Sequence, residues 1–346
     1  MVSQGWLHKF KKRHGIRAHE LQGEQLSADE PSANNFKEEL AAFLKEGDHD
    51  KDFVYNADET GLNWKALPSR SLIARSPKRR KERVTVMVCA NALGTNRIPL
   101  YLIGRAKTPR SFKNTKKPLV EYGYQRMAWI AVQLFKDWFI KIFIPEVMQL
   151  KKTGRTLPEI AFSDNAPAHP SAKYLNMVDE FVTVKFLPPN VTALIQPMDQ
   201  GVIGTLKRHY RKQLLRQLLL AEDNTVQTVM SFYKKINVRD CCYMAAQSWS
   251  FLTQSTLRNS WNKILVGRRP SVGFVANEAD QVMEEIIHSM TMTSICDECD
   301  KPDVERWMAC DSEDQGQHLM NAEEIIAFIS IHAADTEEEA DGNEMD

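Results

Sequence analysis

No run of this 346-residue sequence stays apolar for the roughly 20 residues that a membrane-crossing helix needs, so no membrane partner is expected. The opening Met1-Val2-Ser3-Gln4-Gly5-Trp6 lacks both the basic and the apolar region of a secretory leader, and a soluble, non-secreted protein is expected. Cysteine is sparse. Six in the chain, with Cys241 and Cys242 adjacent, exclude a disulfide framework and point to reduced intracellular thiols. Cys296-Asp297-Glu298-Cys299, followed by Cys310 and His318, lacks the second paired motif of a zinc site and sits among acids. Zinc is not expected there, and the role of Cys296, Cys299 and Cys310 stays open.

Basic residues become scarce toward the end. Residues 221–346 hold 9 Lys+Arg against 24 Asp+Glu, whereas residues 1–220 hold 36 against 21. The formal net charge of zero thus hides a split of +15 and −15. A basic first part favours a polyanionic partner, and an acidic end suits a solvated or protein-binding tail. Residues 335–346 carry seven acids and almost no large apolar side chain, so that segment is expected to be disordered and dispensable for folding.

What the chain does contain is an alternation of helix and strand signals, with 43% apolar residues for a core. A helix is expected over 35–45, started by Ser32 or Asn34. A first strand over 52–55 should end at Asp58. Residues 83–90, a turn with Gly94, and 98–103 read as a hairpin. Phe135, Trp138, Phe139, Ile142 and Phe143 put one apolar face on a helix over 132–148. Strands are expected over 160–162 and 181–186, with a crossover helix over 171–178 between them. Further helices should follow residue 237, with others near 282–287 and 323–331. The expected class is α/β. The order suits a ribonuclease-H-like, mixed five-stranded sheet flanked by helices, with three antiparallel strands and two more parallel to the first. A helical, acidic and partly disordered C-terminal region should follow.

Three aspartates stand at informative places: Asp58 and Asp164 at strand ends, and Asp199 at the start of a long amphipathic helix. Oxygen ligands are what Mg²⁺ or Mn²⁺ takes, and two such ions about 3.5–4 Å apart drive phosphoryl transfer on a nucleic-acid backbone. Each aspartate alone is more simply a turn or helix-cap residue, and a carboxylate at a helix start is stabilised by the dipole. Glu59 should point to the opposite face of its strand from Asp58. His169, five residues after Asp164, either serves the site or caps the next helix with Pro170. Two basic groups are candidate DNA contacts: Lys78, Arg79, Arg80 and Lys81, which also read as a nuclear-import signal, and Lys207, Arg208, Arg211 and Lys212 on the helix after Asp199. An ordinary solvated surface is the plain alternative for both.

The segments Asn56-Ala57-Asp58-Glu59-Thr60-Gly61-Leu62, Ser163-Asp164-Asn165-Ala166-Pro167-Ala168-His169 and Gln196-Pro197-Met198-Asp199-Gln200-Gly201 resemble the DDE-type transposase domain of the pogo/Tigger group. That group includes jerky-like proteins and centromere protein B. The three motifs stand in the family's order, with 34 residues between Asp164 and Asp199. The resemblance implies that Asp58, Asp164 and Asp199 are catalytic and hold Mg²⁺ or Mn²⁺, that DNA is the partner, and that the protein is nuclear. Nuclear proteins would meet the acidic C-terminal region. Residues 5–16 are similar to the last helix of the family's double helix-turn-helix, so a truncated product or a lost module is expected. The expected division is a helix-turn-helix remnant (1–20), a linker (21–50), the DDE-type domain (51–266) and the acidic region (267–346). Three functions follow: a transposase-derived nuclear DNA-binding protein, an active metal-dependent endonuclease or strand-transferase, and a protein-interaction scaffold.

Overall fold

The computed structural model describes residues 28–47, 50–68, 70–71, 82–113, 119–151, 159–163, 169–220, 225–265, 274–292, 296 and 299–311. One sheet organises them, with strands β1 (Val54–Asn63), β2 (Arg83–Asn91), β3 (Tyr101–Gly104), β4 (Glu121–Tyr124), β5 (Glu159–Ser163) and β6 (Val182–Phe186). Their order across the sheet is β4-β3-β2-β1-β5-β6. β2 runs antiparallel to both β1 and β3, while β5 lies parallel to β1 and β6 parallel to β5. These five strands form the ribonuclease-H-like arrangement that the sequence led us to expect.

β4 is a sixth strand beyond that expectation, added parallel to β3. Only four residues long and containing a glycine, it carries little strand signal of its own. It is held by a reciprocal fit: a Cβ on Gly104 would collide with the Tyr122 hydroxyl, and one on Gly123 with the Tyr101 hydroxyl. Each tyrosine lies over the glycine of the other strand. Gly123→Ala is therefore expected to destabilise by roughly 1–3 kcal/mol through overpacking. Urea unfolding would measure this, and Tyr101→Phe should recover part of the loss by removing the nearest colliding atom. Full stability of Gly123→Ala would refute this packing account.

β1 also departs from expectation. It does not end at Asp58 but continues to Asn63, and all ten of its residues are buried. Asp, Glu, Gly and Asn are poor strand formers, so this half reads as a turn in sequence. It holds as a strand because its polar side chains find buried partners, among them His169 for Glu59 and Asp311 for Asn63.

Helices cover both faces. Helix α1 (Glu30–Glu46) starts earlier than expected, capped by the Asp29 side chain accepting from the Ser32 N–H at 3.0 Å, with Pro31 in its first turn. Its Ala33, Phe36 and Leu40 pack with Val54, Ile195 and Trp261. Helices α2 (Val132–Trp138) and α3 (Ile144–Lys151) form one helical run joined by a wide turn, Phe139–Phe143. Pro145 has no N–H to give to residue 141, which a widened turn accommodates. This run buries Phe135, Trp138, Phe139 and Phe143 against Tyr55, Ala57 and Ile103 on one sheet face. The crossover helix α4 (Ala172–Leu175) is shorter than expected, and α5 (Thr192–Ile195) leads to the second face.

That second face is dominated by α6 (Ile203–Leu219), followed by α7 (Val226–Lys235), α8 (Val238–Phe251) and α9 (Gln254–Asn259). Two C-terminal helices, α10 (Phe274–Thr291) and α11 (Lys301–Met308), join the same core through Val282, Ile286, Val304 and Trp307. The N-terminal helix expected over residues 5–16, the helix near 323–331 and the acidic end lie outside the described residues. No helix among the described residues is long and apolar enough to cross a membrane.

Candidate active site

Alternation along β1 decides which side chains meet. Tyr55, Ala57 and Glu59 belong to the α2 face, while Thr60 and Leu62 face α6. Asn56 and Asp58 share the α6 parity. The Asn56 side-chain oxygen accepts from the Met198 N–H at 2.9 Å, and its amide nitrogen donates to Gln196 Oε1 at 3.4 Å. A buried asparagine thus fastens the segment before Asp199 to the strand carrying Asp58. Asp58 is only 6% exposed, and its Oδ1 accepts from the Glu59 N–H at 2.9 Å.

Asp199 lies in a kinked turn, Met198–Val202, that precedes α6 and packs on β1. Gly201 sits at φ 92° within it, a conformation that a side chain would strain. The glycine of the Gln-Pro-Met-Asp-Gln-Gly run thus has a backbone role: it turns the chain into α6 and leaves Asp199 exposed one residue beyond the Asn56 clamp. The structure therefore brings Asp58 and Asp199 to one face of the sheet. Asp164 lies outside the described residues. β5 runs to Ser163, with Phe162 in register with Asn56, and the chain is described again from His169.

Glu59 and His169 take the opposite face. His169 Nε2 lies 3.0 Å and 3.2 Å from the two Glu59 carboxylate oxygens, with both side chains almost wholly enclosed. The imidazole is sandwiched by Phe135, at 4.4 Å between ring centres, and Phe186, at 6.0 Å. His169 is therefore neither a helix cap nor a surface group: Ser171 caps α4. Residue parity anticipated that Glu59 would turn away from Asp58. It could not supply the partner, because that pairing spans 110 residues.

The basic face expected on α6 is largely engaged inside the protein. Arg211 is a correction: its side chain is 1% exposed, ion-paired with Asp311, and donates to the Asn63 carbonyl at 2.7 Å. An arginine so enclosed is a structural residue and not a DNA contact. Lys207 donates to the Asp311 carbonyl at 3.0 Å, and Lys212 pairs with Glu285 on α10. Burial, then the nearby Arg216 charge, lowers the Lys212 pKa. Arg208 is half-buried. Lys78, Arg79, Arg80 and Lys81 lie outside the described residues. Cys296 is buried in the main core, with Cys299 packed at its rim and donating its N–H to the Cys296 carbonyl at 2.8 Å. Cys310 accepts instead from Arg211, and no group of three potential metal-binding His, Cys, Asp or Glu residues occurs among the described residues.

The strand order places the chain among the ribonuclease-H-like α/β domains, with Asp58 and Asp199 on one face of the sheet near β1. The chain belongs to the DDE superfamily endonuclease family, whose sequence profile matches residues 81–261, just over half its length. Asp164 and Asp199 fall inside that match and Asp58 before it. The chain is similar to human "Tigger transposable element-derived protein 7", 34% identical over 292 residues covering 79% of this chain and 53% of that one. It is 33% identical to human "Jerky protein homolog" over 288 residues, 81% of this chain and 48% of the other. It is 30% identical to "CENP-B homolog protein 2" of Schizosaccharomyces pombe over 258 residues, 72% and 48% of the two chains. The chain thus spans about half the length of these curated relatives. A solved structure, the Mos1 mariner paired end complex with Mn, overlaps 83% of this chain and 71% of its own at 13% identity and a TM-score of 0.41. The fold assignment above rests on strand order, not on that likeness.

Proposed function

We propose that this chain is a nuclear DNA-binding domain derived from a DDE transposase, with an acidic triad of Asp58, Asp164 and Asp199 able to hold divalent metal. The observation that carries the reading is the Asn56 clamp, which sets the Asp199 turn over the strand face that bears Asp58 in a chain of DDE-family sequence. An all-carboxylate donor set suits Mg²⁺ or Mn²⁺, which would polarise a phosphodiester and activate water or a 3′-hydroxyl there. The protein's own part is positioning: a clamped turn, a glycine kink and a buried strand hold two of the carboxylates without waiting for a ligand.

The test combines duplex binding with Mn²⁺ titration and plasmid nicking, for the wild type and for Asp164→Asn and Asp199→Asn. We expect salt-sensitive DNA binding in all three, and Mn²⁺ binding reduced at least tenfold in both variants. Nicking that appears with Mg²⁺ or Mn²⁺ and disappears in the variants would establish the endonuclease reading. Absence of both DNA and metal binding would leave only the protein-interaction scaffold.

A further inference from the structure

With Arg211, Lys207 and Lys212 engaged internally, a concentration of open positive charge among the described residues lies on the loop joining β3 to β4. Residues 105–120 contain six Lys or Arg and no acid. Four of these, Arg105, Lys107, Arg110 and Lys113, are exposed, as is Arg126 just beyond β4. Among the described residues no ion pair involves any of the five. Glu121 is in register with Tyr101 at the other end of this strand pair, and burial, then the Asp137 and Glu121 charges, push that phenol up to about 12.

The described part of the loop is anchored, so Arg105, Lys107, Arg110 and Lys113 are displayed on a fixed frame. Pro109 is buried, the Tyr122 hydroxyl donates to the Ala106 carbonyl at 2.8 Å, and Phe112 meets the Tyr122 ring edge-on at 4.9 Å. Phe112 packs on the α6 side of the sheet, the side to which Asp58 belongs. Arg126 stands in a turn fixed from three directions: Gln125 Oε1 accepts from the Trp129 N–H at 3.2 Å, and the Ala128 carbonyl accepts from Arg83 at 2.9 Å and Thr85 at 2.6 Å.

Topology connects this patch to the acidic site. β1, β3 and β4 all run the same way, so Asn63, Arg105 and Arg126 stand at one edge of the sheet. The Gln125 N–H donates to the Gly104 carbonyl at 3.0 Å, which puts Arg105 and Arg126 side by side at the ends of neighbouring strands. β4 lies three strands from β1, about 14 Å, and Asp58 lies five residues back along β1, about 16 Å. A duplex carries a phosphate charge every 1.7 Å or so, and a segment of about 20 Å presents roughly a dozen phosphates.

We infer that Arg105, Lys107, Arg110, Lys113 and Arg126 form a phosphate-binding track for duplex DNA, which continues from the acidic site along the carboxyl edge of the sheet to β4. This rests on the DNA-binding reading above. A track of backbone contacts holds and orients DNA without reading its sequence.

The experiment compares the wild type with the quadruple variant Arg105→Ala/Lys107→Ala/Arg110→Ala/Lys113→Ala, titrating a mixed-sequence linear duplex at several salt concentrations. The slope of log affinity against log salt should become shallower by about 3.6, since each of the four lost phosphate contacts removes about 0.9. The melting temperature should stay unchanged because all four side chains are exposed, and Arg105→Lys/Arg110→Lys should keep the wild-type slope. Unchanged affinity and slope in the quadruple variant, with a wild type that binds, would overturn the track and leave the DNA-binding reading standing. A wild type that binds no duplex at low salt would overturn both. Tighter binding to double-stranded RNA than to DNA of the same sequence would overturn the commitment to DNA.

Discussion

Asp311→Ala is expected to destabilise the fold by about 3–5 kcal/mol, because it strands a buried guanidinium. Arg211 and Asp311 are each 1% exposed and ion-paired, and both bind Asn63 at the end of β1: Arg211 at its carbonyl, Asp311 at its N–H, 3.1 Å away. The Trp307 ring lies 5.4 Å from the same guanidinium, and its indole N–H donates to the Ala66 carbonyl at 2.8 Å. One ion pair thus ties the last described helical turn to the central helix and the central strand. Urea unfolding measures the loss. A double variant, Arg211→Met/Asp311→Leu, should recover most of it, since an apolar pair of similar size avoids the desolvation that the charges undergo. If Asp311→Ala loses less than about 1 kcal/mol, the value typical of an exposed pair, the enclosure described here is wrong.

Glu59→Ala is expected to have the second large effect, in two parts. Removing the Glu59 carboxylate takes away a hydrogen bond to an enclosed imidazole, worth roughly 1–3 kcal/mol. Glu59→Gln keeps an acceptor for a neutral His169 and should lose less. Second, this bond ties His169, five residues after Asp164 in sequence, to β1, and β5, which ends at Ser163, pairs with the same strand. Releasing it should weaken Mn²⁺ binding by tenfold or more at temperatures where the variant remains folded, with Glu59→Gln close to wild type. Equal metal binding in Glu59→Ala and wild type would reduce the pair to a packing role.

Much of the order of the chain was readable. The apolar periodicity of residues 132–148 identified the helix that covers one sheet face, and the turn at Gly94 between two β-rich runs identified the β2–β3 hairpin. The motifs around Asp58 and Asp199 marked segments that do share one face. Harder to read were elements whose stability comes from elsewhere in the chain. The second half of β1 looks like a turn because its residues are poor strand formers. β4 is too short to show a period and depends on Tyr101 of the neighbouring strand fitting over its Gly123.

The basic helix after Asp199 shows where sequence reasoning stops. Residue type and spacing determined that α6 is amphipathic and rich in cations, that Asp58 and Glu59 face opposite ways, and that the strands follow a ribonuclease-H-like order. Only the tertiary structure decided which cations are open to a partner. That depends on what packs over them, and the acids on Lys212 and Arg211 arrive from 73 and 100 residues away. Local pattern carries the periodicity of a helix because neighbouring residues share its backbone geometry. The neutralisation of a charge by a distant carboxylate depends on how the chain closes in space, and no window of sequence contains that information.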